Sequence, residues 1–129
     1  MDLLKKISLA LLVIFYMVAG LNHFISPVGY LAIIPRYLPW PHLINILAGS
    51  FEIFFGGALL FTPTRRYAAY GIILMLLAFL PVHIAMIGDA PLKLGSLTVT
   101  PMLAWIRLLV LQPLLIIWAG WYTKPLVKA

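Results

Sequence analysis

One apolar segment of membrane-spanning length carries an acidic residue near its middle. It runs from His42 to Phe61, HLINILAGSFEIFFGGALLF, and the acid is Glu52. About 20 apolar residues, each rising about 1.5 Å along a helix, are enough to cross a bilayer. A carboxylate at that depth is costly unless it faces the protein interior, is neutralised or meets a basic partner. The segment therefore predicts a transmembrane helix within a bundle, with a partner for Glu52.

The composition of the whole chain is that of an integral membrane protein. Of its 129 residues, 64% are hydrophobic and 9% are charged, whereas soluble domains average about 45–50% and about 25%. Four apolar segments, at about 7–25, 42–61, 67–87 and 101–122, use nearly the whole sequence. We therefore expect an all-α fold, a four-transmembrane-helix bundle that forms a single membrane domain over residues 1–129.

Local signals mark where these spans begin and bend. The basic start of the first span also fits a cleavable signal peptide, but its apolar run continues to Ile25, so we expect an uncleaved helix. Pro81 and Pro113 each remove a backbone donor from a later span and should kink it. Thr100 and Pro101 suit the N-cap and first position of the last helix.

The connection between the first and second spans is rich in proline and aromatic residues. It reads SPVGYLAIIPRYLPWP over residues 26–41, and a regular spanning helix does not tolerate so many missing donors. Its tyrosine and tryptophan side chains favour the headgroup layer. We expect either a short interfacial helix or lid across the mouth of the bundle, or a loop that rests on lipid.

The basic residues predict the orientation of the chain in the membrane. Six are expected on one side, Lys5, Lys6, Arg65, Arg66, Lys124 and Lys128, and two on the other, Arg36 and Lys93. Because short loops rich in lysine and arginine stay in the cytoplasm, both termini should be cytoplasmic in a bacterial inner membrane. The net charge of +6 thus reflects topology, and nucleic acid is not an expected partner.

The ionisable residues of the four spans fall at similar depths. In this topology His23 lies at the outer end of its helix and His83 about one turn in, with Arg107 about two turns and Glu52 about three turns in. We therefore predict a polar site in the outer half of the bundle. Its candidate ligand-binding residues are His23, Glu52, His83, Arg107, Asn22 and Gln112.

Arg107 is the predicted partner of Glu52. It is the only basic residue deep in a span, and a guanidinium binds a carboxylate through two hydrogen bonds. Gln112 lies about 140° around an α-helix from Arg107, so both face inward only if the helix bends or the cavity is wide. The alternative is a buried pair that only fixes helix register.

Neither a metal site nor thiol chemistry is expected. Two histidines at one depth could bind haem or a metal, but no HxxxH or HxxE spacing occurs on a single helix. The absence of cysteine excludes disulfides and thiolate ligands. No catalytic residue is predicted, and we do not expect the chain to be an enzyme on its own.

Motifs with polar residues inside apolar spans extend over almost the whole chain. They are Gly20-Leu-Asn-His23-Phe24, Pro27, Tyr30, Ile34-Pro35, Leu38-Pro39, Gly49, Glu52-Ile53, Gly56, Pro63, Arg65-Arg66, Phe79-Leu80-Pro81 and Trp105-Ile106-Arg107-Leu108 leading to Gln112. With these motifs the chain resembles the DoxX-like family of small four-helix membrane proteins. Many members would have asparagine where this chain has His83, which leaves the contribution of the third helix open.

The resemblance implies a role beside a redox system. The family takes its name from a subunit associated with a thiosulfate:quinone oxidoreductase, and some relatives look like partners of redox or oxidative-stress proteins. We expect an inner-membrane protein that binds a small amphipathic or quinone-like ligand in support of a redox or envelope-stress system. A quinone or a lipid is the candidate cofactor, and a membrane redox protein is the candidate partner.

Two other functions fit the same sequence. One is a non-catalytic membrane scaffold or assembly partner, which the family's similarity to eukaryotic cargo receptors also implies. The other is a small proton-coupled transporter, although such a mechanism needs a carboxylate free to take up protons, and an Arg107 partner works against this. Homo-oligomers are also possible, because Gly49, Gly56 and Gly57 could serve either internal packing or a dimer face.

Overall fold

The computed structural model describes residues 2–94 and 97–124, and the chain is mainly helical there, as predicted. In chain order the elements are α1 (Leu3–Ile25), α2 (Pro27–Ile33), α3 (Pro41–Ala58), α4 (Thr62–Ala78), α5 (Leu80–Asp89), β1 (Leu92–Leu94), β2 (Leu97–Val99), α6 (Pro101–Ile106), a π-helix (Arg107–Leu111) and α7 (Gln112–Gly120). The two strands pair antiparallel as a short hairpin.

Three helical stretches in the described residues are long and apolar enough to cross a membrane. They are Leu3–Ile25, Thr62–Asp89 and Pro101–Gly120, and they correspond to three of the four predicted spans. The remaining predicted span, 42–61, forms α3, an 18-residue helix that is not among the three. Its polar residues, which include Asn45 and Glu52, lower its hydropathy.

Glycines allow α1 and α3 to pack with their backbones in contact. A Cβ atom on Gly49 would lie 2.7 Å from the Cβ of His23 and 2.9 Å from the carbonyl oxygen of Gly20. A Cβ atom on Gly20 would in turn lie 2.8 Å from the carbonyl oxygen of Gly49. Gly56 also faces α1, whereas a Cβ atom on Gly57 would meet nothing within 4 Å. Gly49 and Gly56 therefore serve packing within one chain.

The π-helix precedes Pro113 and changes which side chains share a face. Over Arg107–Leu111 the backbone is wider than an α-helix, and the Gln112 N–H donates to the carbonyl of Arg107, five residues back. In a regular α-helix the Pro113 ring would collide with the carbonyl of Leu109. A π-helical turn accommodates that ring and shifts the following residues around the axis.

Two other local predictions are confirmed. The helix breaks ahead of Pro81, since α4 ends at Ala78 and α5 begins at Leu80. Thr100 is the N-cap of α6, and its hydroxyl oxygen accepts a hydrogen bond from the Leu103 N–H at 3.2 Å. The effects of Pro81 and Thr100 each involve residues within one helical turn, so they can be predicted from the sequence alone.

One end of the bundle, here called the hairpin end, carries α2 and the two strands. The proline-rich connection forms α2, which contacts α1, α3, α5 and β1. This agrees with the predicted short helix across the mouth of the bundle. A small core of Met86, Val99 and Ala104 joins α5, β2 and α6 at the same end.

The opposite end, here called the termini end, contains the start of α1, the end of α7 and the α3–α4 turn. The Tyr122 hydroxyl donates to the Lys5 carbonyl at 3.1 Å, and the Nζ of Lys5 lies 5.3 Å from the ring centroid of Trp121. Arg65 donates from Nε to the Leu59 carbonyl at 2.7 Å and so caps α3. Lys6, Arg66 and Lys124 adjoin these residues, and Lys128 lies outside the described residues.

Candidate functional site

His23, in the last turn of α1, contacts two polar side chains of α3. Its Nε2 lies 2.9 Å from Oε1 of Glu52, and its Nδ1 lies 2.7 Å from Oδ1 of Asn45. The Nδ2 of Asn45 also donates to the backbone carbonyl of His23 at 2.9 Å. All three side chains are buried, with exposed fractions of 7% for His23, 5% for Asn45 and 6% for Glu52. Polar contacts therefore connect the two helices where the glycines bring them together.

Asn45 fixes which ring nitrogen of His23 carries a proton. Because its Nδ2 donates to a carbonyl, Oδ1 is the atom that faces Nδ1, and this acceptor requires an N–H at Nδ1. The contact between Nε2 of His23 and Oε1 of Glu52 is then attractive only if one proton lies between them. The pair is either imidazolium with carboxylate or imidazole with carboxylic acid. Its net charge is zero in both states.

The lid helix α2 covers His23. The Tyr30 ring stacks on the His23 ring, with centroids 3.8 Å apart and an interplanar angle of 24°. The Nδ2 of Asn22 donates to the Tyr30 hydroxyl at 2.9 Å. Asn22, a predicted ligand-binding residue, is itself exposed. Asn22 holds the Tyr30 ring over His23 and lies at the edge of the buried side chains.

Arg107 does not form the predicted ion pair with Glu52. Among the described residues Glu52 pairs with His23, and Arg107 donates from Nη1 to Oε1 of Gln112 at 2.6 Å. The π-helix explains the error, because it places residues five apart on one face and so turns Gln112 towards Arg107. Gln112 also donates from Nε2 to the backbone carbonyl of Leu76, beside the α4–α5 break.

Arg107 nevertheless lies within electrostatic range of the polar residues on α1, α3 and α5. Its charge acts on Tyr16 and His83, and the charge of Glu52 acts on Tyr16 and Arg107. Tyr16 is 1% exposed and His83 is 8% exposed. The structure therefore brings five of the predicted site residues, His23, Glu52, His83, Arg107 and Gln112, into one region.

Three buried polar atoms in this region lack a hydrogen-bond partner among the described residues. They are the Tyr16 hydroxyl, Nδ1 of His83 and Oε1 of Glu52. The 2.9 Å contact of Glu52 with His23 is thus close but not aligned as a hydrogen bond. Buried polar groups are nearly always paired in proteins, so unpaired ones call for a ligand, an ion or water.

Sequence reasoning missed two members of this group, Asn45 and Tyr16. Asn45 precedes Glu52 by seven residues, a spacing that places both on one helical face two turns apart. This spacing could have identified Asn45 as a member of the site. Tyr16 precedes His23 by the same interval on α1, and its place in the site depends on the angle at which α1 crosses the bundle.

Features outside this region do not add to the site. An open depression at the start of α3 is lined by Trp40, Pro41, His42 and Leu43, none of which belongs to the polar group. His42 is exposed there. Within residues 2–94 and 97–124, no group of three or more histidine, cysteine, aspartate or glutamate side chains is arranged to hold a metal ion.

A family model described as "Domain of unknown function (DUF8561)" matches residues 12–123. The matched range contains every residue of the polar group. No curated protein matches the chain, and no solved structure does.

Proposed function

The chain belongs to the DUF8561 family, and we propose that it is a multi-pass membrane protein whose bundle holds the polar head of a small amphipathic or quinone-like ligand. One observation carries this proposal. Among the described residues, the Tyr16 hydroxyl and Nδ1 of His83 are buried without hydrogen-bond partners, and α5, which carries His83, contacts the π-helix that carries Arg107. A pocket with a few convergent polar groups in apolar surroundings is typical of small-molecule sites.

Each polar residue has a distinct part in this proposal. Arg107 and Tyr16 donate hydrogen bonds to an oxygen of the ligand head, and His83 adds a third polar contact. Gln112 holds the guanidinium in place from the same helix. The pair of His23 and Glu52 holds one exchangeable proton beside the ligand. Such a ligand would support a redox or envelope-stress system, with a membrane redox protein as partner.

We further propose four membrane crossings, with α3 as the second and with both termini in the cytoplasm of a bacterial cell. Two observations support this topology. α3 packs against α1, and its buried polar residues face the bundle rather than lipid. The termini end carries most of the cations, including Lys5, Arg65 and Arg66, as positive-inside bias requires. The hairpin end would then be periplasmic.

Single-cysteine labelling tests this topology, because the chain contains no cysteine of its own. His42 and Thr62 flank α3 at opposite ends, and both are exposed. We expect a membrane-impermeant maleimide to label His42→Cys in spheroplasts and to label Thr62→Cys only after the membrane is broken. Equal labelling of both positions in intact spheroplasts would contradict a crossing by α3.

Mass spectrometry of co-purified small molecules tests the ligand proposal. We expect wild-type protein, purified in mild detergent, to retain an amphipathic molecule in a fixed ratio to the chain. The Arg107→Gln variant should lose most of it, because one good charged hydrogen bond contributes about 1.5–3 kcal/mol, or about tenfold or more in affinity. Arg66→Gln is the matched control, since Arg66 is exposed at the other end. Equal retention by all three proteins would contradict the proposal.

One observation favours a second candidate function, proton-coupled transport. The objection that an Arg107 partner works against this mechanism does not apply to the observed pairing, because Glu52 contacts His23 rather than Arg107. In reconstituted vesicles such a transporter would move protons with its substrate, and Glu52→Gln would abolish that movement. A non-catalytic scaffold would keep its function in the same variant. The resemblance to the DoxX-like family stays a prediction.

A further inference from the structure

We propose that the ligand of this site carries an anionic head group, a carboxylate or a phosphate, on an apolar tail. The inference rests on the proposed function and specifies the chemical class of its ligand. It begins from the three acidic residues of the chain. Asp2 caps α1 at the termini end, where it accepts from the Lys5 N–H at 2.8 Å, and Asp89 is exposed at the end of α5. Glu52 is the one acid in the polar region.

The charge of Arg107 therefore has no directly contacting counter-ion among the described residues. Glu52 is instead paired with His23, whose Nε2 lies 2.9 Å from Oε1 of the carboxyl group. The Gln112 amide, which accepts a hydrogen bond from Arg107, carries no charge that could neutralise the guanidinium. In residues 2–94 and 97–124, no carboxylate lies within ion-pair distance of the guanidinium. A largely buried cation without a counter-ion is strongly unfavourable in an apolar bundle.

The Arg107 side chain does not extend to the nearer end of the bundle, where water would solvate its charge. Long basic side chains in membranes usually extend to the closest interface. The closest end of its helix is the hairpin end, where α6 begins at Pro101. The Nη1 of Arg107 instead binds Gln112, five residues farther from that end. The hydrogen bond holds the charge inside the bundle, where a ligand can meet it.

An oxyanion satisfies the unpaired groups around Arg107 better than a neutral carbonyl does. A carboxylate or phosphate accepts two hydrogen bonds from one guanidinium and has further lone pairs for the Tyr16 hydroxyl and for an N–H of His83. It also neutralises the charge, which a quinone carbonyl cannot do. The exposed faces of the surrounding helices are apolar, so the rest of the molecule is expected to be a hydrocarbon tail.

Binding to protein in phosphatidylcholine nanodiscs tests this inference, with empty nanodiscs as the blank. The probes are dodecanoate, dodecyl phosphate, neutral methyl dodecanoate, a short-chain ubiquinone and inorganic phosphate. We expect at least one anionic amphiphile to bind about tenfold or more tightly than the methyl ester, which corresponds to about 1.4 kcal/mol. Arg107→Gln should remove this preference, and Arg66→Gln should preserve it. Tyr16→Phe, a milder change, should weaken anion binding severalfold if Arg107→Gln does not fold.

The other outcomes separate this inference from the proposed function. Tight binding of ubiquinone without a preference for anions would overturn the inference and leave a quinone-like ligand in place. Inorganic phosphate that binds as well as dodecyl phosphate would show that no tail is recognised, which also overturns it. Anion binding that is equal in wild type and Arg107→Gln would mean adsorption elsewhere on a basic protein. If no probe binds wild type, both proposals fail.

Discussion

Gly49→Ala is expected to lower the stability of the bundle more than any other single-methyl change on α3. The added Cβ would lie 2.7 Å from the Cβ of His23 and 2.9 Å from the carbonyl oxygen of Gly20. Neither atom is the end of a flexible side chain, so α1 and α3 must move apart. Overpacking of this kind costs about 1–3 kcal/mol, and the separation would also weaken the contacts of His23 with Asn45 and Glu52. Reversible unfolding in mixed micelles measures the loss.

Gly57→Ala is the matched control for this change. It makes the same substitution on the same helix, but a Cβ at that position meets nothing within 4 Å. Because alanine is favoured over glycine in helices by about 1 kcal/mol, Gly57→Ala should be neutral or slightly stabilising. Equal stability of the two variants would show that the glycine contact between α1 and α3 is not formed.

Glu52→Leu is expected to destabilise the protein by about 1–3 kcal/mol, the cost of a buried polar group without a partner. Leucine leaves Nε2 of His23 buried with nothing to bind, since Asn45 already occupies Nδ1. Glu52→Gln should cost clearly less, because the glutamine amide can donate a hydrogen bond to Nε2. The comparison separates loss of a hydrogen-bonding partner from loss of a charge. The same unfolding assay measures both variants.

The position of the proton on the His23 ring is a second measurement on these variants, independent of their stability. Nitrogen-15 NMR of labelled histidine should show His23 protonated at Nδ1 in the wild type and in Glu52→Gln. His42 is exposed and serves as the reference signal in the same spectrum. A variant with the reverse tautomer at His23, or a Glu52→Leu protein as stable as wild type, would contradict the pairing described for α1 and α3.

The sequence predicts much of this fold because its signals are local. Apolar runs, the break ahead of Pro81, the irregular helical turn ahead of Pro113 and the Thr100 cap each depend on residues close together in the chain. The glycines beside Glu52 correctly predict a close helix, although not that the helix is α1. The number of crossings is harder to predict, because Asn45 and Glu52 make α3 less apolar than the other three stretches.

The site is predicted less completely, since its contacts depend on geometry that no local pattern encodes. The depth argument places His23, Glu52, His83 and Arg107 in the same half of the membrane, but it does not predict which of them are in contact. The pairing of Arg107 with Gln112 results from a π-helix, and the length of such a turn is not specified by one proline. Chemical complementarity favours a guanidinium for Glu52, yet the packing of α1 on α3 brings His23 closer.

A double-mutant cycle between His23 and Glu52 tests most directly whether the helices bring their polar residues into one buried site. It compares the unfolding free energies of wild type, His23→Leu, Glu52→Leu and the double variant, with the exposed His42 in place of His23 as control. The predicted interaction energy for the His23 pair is about 1–3 kcal/mol, and the control pair should be additive within about 0.5 kcal/mol. Additivity for His23 and Glu52 would contradict the site.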